Sequence, residues 1–240
     1  MLLVKTLIVA GVMAIGLLAT APATADPDPP PSDSAWVRET CQVPVRPDVA
    51  ALIPTRDGHF VFESGHHSPA WIDLERLFLQ PAAIRPLAVE LAQRLQPYGI
   101  EVVCGPLVEG AFVALAVAEH LDVPFTYTER FEEGQPGTLF PVRYRLPAVL
   151  HDAVVGRRVA IVNDVVSAGS AVKGTHADLV EHRADPVVIA TLAVLGDSAE
   201  RFAARSGIGL EALHTAQATI WEPAGCPLCR RGVPIDAPST

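Results

Sequence analysis

Cysteine is scarce in this chain, four in 240 residues. Small secreted domains that depend on disulfides are far denser in it, so this fold must rest on a core. Basic residues are also outnumbered: 18 Lys and Arg face 27 Asp and Glu, for a net charge of −9. That balance excludes a protein that holds nucleic acid by neutralising its phosphates. An anionic ligand would need backbone amides, a few placed cations or a metal ion. Charged residues make up only 19 % of the chain and apolar ones 50 %, which excludes a disordered polymer. No internal repeat is visible. The apolar run near the N-terminus, Thr6 to about Ala19, is shorter than the roughly 20 residues a membrane-spanning helix needs. What is present is a chain long enough for one large domain or two small ones.

Residues 1–25, MLLVKTLIVAGVMAIGLLATAPATA, place one charge at Lys5, then the apolar run, then Ala23 and Ala25 ahead of Asp26. This is the order of a secretory signal peptide with an A-x-A cleavage site. It predicts an exported or secreted protein with no membrane span after cleavage. An uncleaved anchor, or a cytoplasmic protein with a mis-chosen start, is the alternative. Residues 26–50 open on DPDPPPSDSA and read as an extended linker.

From Ala51 onward apolar runs alternate with helical patterns, the signature of an α/β fold. Strands are predicted at His59–Glu63, Ala70–Asp73, Gly99–Cys104, Pro124–Thr128, Arg158–Asn163 and Pro186–Leu195. IEVVCG and RRVAIVND are continuous and β-branched, as in strands buried on both faces of a parallel sheet. Helical spacing covers Pro81–Gln96, with Pro86 in a first turn or at a kink, and Glu109–Leu121. The simplest architecture is a doubly wound parallel sheet with a ligand crevice at the strand carboxyl ends.

One strand end concentrates polar chemistry. Val159–Val162 is followed by Asn163, Asp164, two apolar residues and the loop Ser167–Ala168–Gly169–Ser170 ahead of a helix starting near Ala171. Small residues between a buried strand and a helix N-terminus let N–H groups converge on a phosphate, and the helix dipole favours the charge. Asp164 is positioned to accept from sugar hydroxyls. Read without its flanks, S-A-G-S is also an ordinary turn with a capping serine.

The full string V-A-I-V-N-D-V-V-S-A-G-S-A resembles the phosphoribosyl-diphosphate (PRPP) motif of type I phosphoribosyltransferases. The resemblance implies that Asn163 and Asp164 hold the ribose hydroxyls, while Ser167, Ala168, Gly169, Ser170 and Ala171 cradle the 5′-phosphate. Asn163 stands where the family has an acid, and an amide bonds a hydroxyl without bringing charge. Mg²⁺ is the implied cofactor, met by Asp164 indirectly through PRPP.

HFVFESGHHSPAWID, from His59 to Asp73, is similar to the stretch near the start of orotate phosphoribosyltransferases that lies over the pyrimidine. Ser64, Gly65 and Ser68 are the implied base-binding residues. Glu63 occupies a position where the subfamily often has lysine, which sets a carboxylate toward an anionic base. Read alone, the segment is a polar hairpin with two solvated histidines, and neither histidine has a spaced third ligand for a metal. VVCGPLVEGA resembles the family's pyrophosphate loop, with Gly105, Pro106 and Gly110 as its residues.

The catalytic loop of orotate enzymes is rich in cations. The corresponding stretch here, Thr128–Gly137, has one cation, Arg130, and three carboxylates. Arg130 is therefore the expected catalytic cation beside Asp164, because positive charge must meet the leaving pyrophosphate. In the C-terminal segment 216–240, Cys226 and Cys229 form a C-P-L-C pair open to zinc, a disulfide or redox work. A four-cysteine zinc site would also need Cys41 and Cys104, and Cys104 belongs to the expected pyrophosphate loop. A disulfide after export, or a reduced knuckle, is the expectation.

The resemblance spans roughly Ala51 to Leu195, and it implies a phosphoribosyltransferase domain over 51–215 with a small N-terminal hood on a sheet of about five parallel strands. The implied reaction joins orotate and PRPP to give orotidine 5′-monophosphate and pyrophosphate, in a homodimer. Two alternatives stay open, transfer to another nucleobase and a non-catalytic PRPP or nucleotide binder.

Overall fold

The computed structural model describes residues 55–72, 74–132, 142–217 and 219–236. The leader expected at 1–25 and the linker at 26–50 lie outside the described residues, as do Cys41, Asp73 and the stretch 133–141, which takes in the end of the expected catalytic loop.

The described chain runs β1 (Thr55–Val61), β2 (His67–Ile72), α1 (Pro81–Leu95), β3 (Val102–Pro106), α2 (Glu109–Leu121), β4 (Phe125–Glu132), β5 (Val142–Arg145), β6 (Arg158–Val166), α3 (Ser170–Glu181), β7 (Asp185–Leu195), α4 (Ser198–Ser206), β8 (Gly209–Ala216) and α5 (Pro227–Arg230). β1 and β2 pair antiparallel as a separate hairpin, the hood expected from the sequence. The other six strands form one sheet in the order β5-β4-β3-β6-β7-β8. Five of them are parallel, and β5 runs antiparallel along the edge beside β4.

Alternation along the strands builds a core on each face, because successive side chains point to opposite sides. Val103, Ala160 and Val162 join α1 and α2 through Leu87, Leu91, Val113 and Ala114. Val102, Cys104, Val159 and Ile161 join α3 and α4 through Val172, Leu179, Ala199 and Ala203. Helices therefore cover both faces of the sheet, as the continuous apolar runs predict. Pro86 falls inside α1 rather than in its first turn, and the helix continues through it to Leu95.

Chain order reverses between β3 and β6: β3 leads outward to β4, whereas β6 leads the other way to β7 and β8. In open α/β sheets such a switch point leaves a crevice at the strand carboxyl ends. Here the crevice lies between Pro106 and Val166. Among the described residues, no helix is long and apolar enough to cross a membrane.

Candidate active site

The cleft at the switch point is lined by three separate pieces of chain. β3 and the turn after it supply Pro106, Leu107, Val108, Glu109 and Gly110. β6 and the start of α3 supply Asn163 through Val172, and the hood supplies Phe62, Glu63, Ser64, Trp71 and Ile72. Tyr144 of β5 and Leu195 of β7 complete the wall. The three segments singled out in the sequence thus meet in one place.

The β6–α3 loop is built to face an anion. Gly169 sits at φ +80° as the residue before α3, a left-handed backbone that favours glycine. No side chain caps the helix and its first turn carries no acid, so its leading N–H groups have no partner within the helix at the point where Ser167 to Val172 line the cleft. The Ser167 hydroxyl is buried with no hydrogen-bond partner among the described residues. The back of the loop is clamped: the Ala168 carbonyl accepts from the Lys173 ammonium and from Ser198 Oγ at 2.8 Å. Burial, then the nearby Arg205 and Arg201, push the Lys173 pKa down. Lys173 and Ser198 lie outside every motif quoted above. A lysine one turn into the helix after a phosphate loop is the only trace of that clamp in the sequence.

Asp164 is 4 % exposed at the strand tip. Asn163 beside it is tied down, its Nδ2 donating to the Val165 carbonyl at 2.9 Å. Its Oδ1 presses on Gly110 so closely that a Cβ there would stand 2.1 Å away. The glycine of the β3–α2 turn is thus required by the amide of the β6 motif, and the two loops are fitted to each other.

Glu63 is not an isolated negative charge. It accepts from Arg130 Nε at 2.9 Å, from the Tyr144 hydroxyl at 2.9 Å and from Ser170 Oγ at 2.9 Å. One carboxylate thereby joins the hood, β4, β5 and the phosphate loop. Burial, reinforced by the Glu63 charge, pushes the Tyr144 phenol far above its ordinary pKa, so it stays a donor. Arg130 lies on β4 rather than in a loop, and the cleft lining given above does not include it. Ser170 likewise spends its hydroxyl on Glu63.

The remaining sequence expectations divide. Ser64 lines the cleft and is fully buried, sharing a 3.0 Å hydrogen bond with His66 Nδ1. Gly65 forms the hairpin turn at φ +80°. Ser68 is corrected from base contact to scaffold: it is 4 % exposed, donates to the Thr219 carbonyl and accepts from the Ala70 N–H. Gly105 serves packing, since a Cβ there would meet Ala114 at 2.5 Å.

The sequence pattern offers the hairpin histidines no third ligand, and the fold brings two cysteines from the C-terminal segment beside them. His59 and His67 at the base of the hood stand beside Cys226 and Cys229, with four ligand atoms all within 4.8 Å of one another. Both cysteines are free thiols, and Cys104 is buried in the sheet core, apart from them. Of the two expected states of the Cys226–Cys229 pair, disulfide or reduced knuckle, the geometry described is that of the reduced pair.

No family model matches the sequence. The chain is 30 % identical over 184 residues to an orotate phosphoribosyltransferase of Thermotoga maritima, covering 77 % of this chain and 91 % of that protein. A solved orotate phosphoribosyltransferase of Aeropyrum pernix superposes with a TM-score of 0.51 at 24 % identity, over 67 % of this chain and 87 % of that one. An adenine phosphoribosyltransferase of Thermoanaerobacter pseudethanolicus superposes with a TM-score of 0.54 at 18 % identity, over 70 % of this chain and 97 % of that one. Sequence identity and a cleft assembled from the same three segments agree, and the chain belongs to the orotate phosphoribosyltransferase family, within the type I phosphoribosyltransferase fold.

Proposed function

We propose that the chain transfers the phosphoribosyl group of PRPP to orotate: the base nitrogen bonds to the anomeric carbon, the carbon–oxygen bond to pyrophosphate breaks, and orotidine 5′-monophosphate is released. The observation that carries this reading is the single cleft in which the hood, the β3–α2 turn and the β6–α3 loop converge at the switch point.

In this reading the N–H groups at the start of α3, with Ser167 Oγ, hold the 5′-phosphate. Asp164 accepts from the ribose hydroxyls and fixes the sugar against the attacking base. The turn after β3 holds the pyrophosphate through the backbone amides of Val108 to Gly110. Phe62 and Trp71, with ring centroids 6.1 Å apart, give the base an apolar wall, and Ser64 gives it a hydroxyl.

Among the described residues lining the cleft, none is lysine or arginine. In this reading backbone amides and a cation brought by the substrate meet the phosphate charge. Mg²⁺ fits the donor set, because it is commonly held by one or two carboxylates together with substrate phosphates, and Asp164 and Glu109 are the carboxylates available for it. It would neutralise the charge developing on the pyrophosphate. A homodimer belongs to the same proposal, and light scattering on the purified chain tests it.

A second reading, transfer to a base that presents donors instead of a carboxylate, is favoured by Glu63 on the hood side of the cleft. The deciding experiment mixes the chain with PRPP, Mg²⁺ and a panel of orotate, uracil and adenine, and follows pyrophosphate release. Release with orotate alone supports the proposal, and release with a different base replaces it by the second reading. PRPP binding without turnover on any base reduces the chain to a binder. Asp164→Asn should lower kcat/KM by about 10- to 150-fold, the loss of roughly 1.5–3 kcal/mol from hydrogen bonds to a charged acceptor.

A further inference from the structure

The cluster at the base of the hood takes no part in the chemistry of the cleft. His59 Nε2 lies 2.9 Å from His67 Nδ1. Cys226 Sγ is 3.6 Å and Cys229 Sγ 3.7 Å from His59 Nε2, and Cys229 Sγ is 3.3 Å from His67 Nδ1. A tetrahedral zinc ion, with bonds of about 2.0–2.1 Å to nitrogen and about 2.3 Å to sulfur, separates its ligand atoms by about 3.3–3.8 Å. The three sulfur–nitrogen separations just given fall in that range, the two ring nitrogens stand closer, and all four ligand atoms lie within 4.8 Å of one another.

The surroundings prepare these atoms as ligands. His59 Nδ1 lies 2.8 Å from the Val233 carbonyl, which can only accept, so Nδ1 carries the proton and the Nε2 lone pair is turned to the cluster. His59, His67 and Cys226 are buried, whereas Cys229 is exposed and leaves an entry path. Backbone bonds hold the partners in register: His67 exchanges two with Trp221, at 2.8 and 2.9 Å. The Asp236 N–H donates to the His59 carbonyl at 2.7 Å, and the His59 N–H returns to Asp236 Oδ2 at 2.8 Å.

We propose that His59, His67, Cys226 and Cys229 bind one zinc ion that staples the C-terminal segment to both strands of the hood. The soft donor set selects zinc over magnesium or calcium, and four protein ligands leave no open position, which makes the site structural rather than catalytic. The two histidines flank the turn that carries Phe62, Glu63 and Ser64 into the cleft, so the ion fixes the base side of the site from behind. Uptake of the ion by the two thiols releases up to two protons. The assignment is independent of which base the cleft accepts.

The test uses the full chain, purified with any affinity tag removed. Elemental analysis is expected to give one zinc per chain. Exchange for Co²⁺ is expected to produce the ligand-field bands and thiolate-to-cobalt charge transfer of a tetrahedral site. A Cys226→Ser, Cys229→Ser double variant should hold at most about a tenth of that zinc, as expected when ligands are lost, while Cys104→Ala keeps it. If the double variant fails to fold, the wild-type metal content and cobalt spectrum still decide. A wild-type chain that takes up no zinc when titrated, a cobalt adduct without the charge-transfer band, or a purified Cys226–Cys229 disulfide that excludes metal overturns the proposal. Each of these readouts is separate from turnover, so failure of the zinc site and failure of the orotate reading are distinguishable.

Discussion

Glu63 shows how one residue changes meaning between sequence and structure. In the sequence it is a carboxylate opposite an anionic base; in the fold its charge is matched by Arg130 and two hydroxyls. The ion pair is about half exposed on the arginine side, 45 % against 26 %, and such pairs contribute little to stability. Glu63→Gln should therefore cost at most about 1 kcal/mol in urea denaturation. The same change should lower KM for orotate roughly fivefold, because about 1 kcal/mol of like-charge repulsion is removed. An unchanged KM would show that Arg130 already cancels the charge. Cys104 makes a pH prediction. Burial raises its thiol to about 12 from an ordinary 9.0. Between those values the unfolded chain gives up a proton that the folded chain keeps, so stability is full below about pH 9 and is lost as pH rises toward 12. The slope approaches 1.4 kcal/mol per pH unit, about one proton's worth. Cys104→Ala should flatten that alkaline limb in denaturation midpoints measured at pH 8 and pH 10.

Among the elements, the β3–α2 turn and the β6–α3 loop depend on each other through Gly110 and Asn163. Gly110→Ala should displace the Asn163 amide from the Val165 carbonyl, costing about 1–3 kcal/mol by overpacking and raising KM for PRPP about tenfold. Asn163→Ala in the same chain should restore most of the stability, a coupling that a double-mutant cycle measures. The central elements were legible in the sequence because their signals are local: β6 and β7 are continuous apolar runs, and α2 has the expected bounds of Glu109–Leu121. The edges were not. β5 is four residues long, with only Val142 and Tyr144 turned inward. β8 is half-buried along nearly its whole length, so neither a period-2 pattern nor a solid apolar run marks it. In the site, the loops were readable as motifs, whereas Tyr144 reaches the cleft only because β5 folds back beside β4. The destination of Arg130 was hidden for a related reason: its partner Glu63 lies 67 positions away.

At the scale of the whole molecule, the hood is held to the sheet domain by the C-terminal segment as well as by its own packing. Removing residues 226–240 deletes two of the four clustered ligands together with the Val233 and Asp236 bonds to His59. The truncated chain should keep its affinity for PRPP, which rests on the sheet loops, and should raise KM for the base about tenfold, roughly 1.4 kcal/mol. Equal losses for both substrates would mean that the segment supports the whole fold. No reading of spacing along the chain reveals this arrangement, because each half of the cluster is unremarkable alone: two histidines in a hairpin, and a C-x-x-C near the end. The separation also has a meaning in time. The bonds that close the hood span 151 to 177 positions, and a ribosome adding about 5–20 residues per second needs roughly 10–30 s to cross that interval. The hairpin is among the first described elements to be synthesised and must wait, edge unprotected, for nearly the last. Among the described elements, the contacts behind the hood can form only after every strand of the sheet has been synthesised.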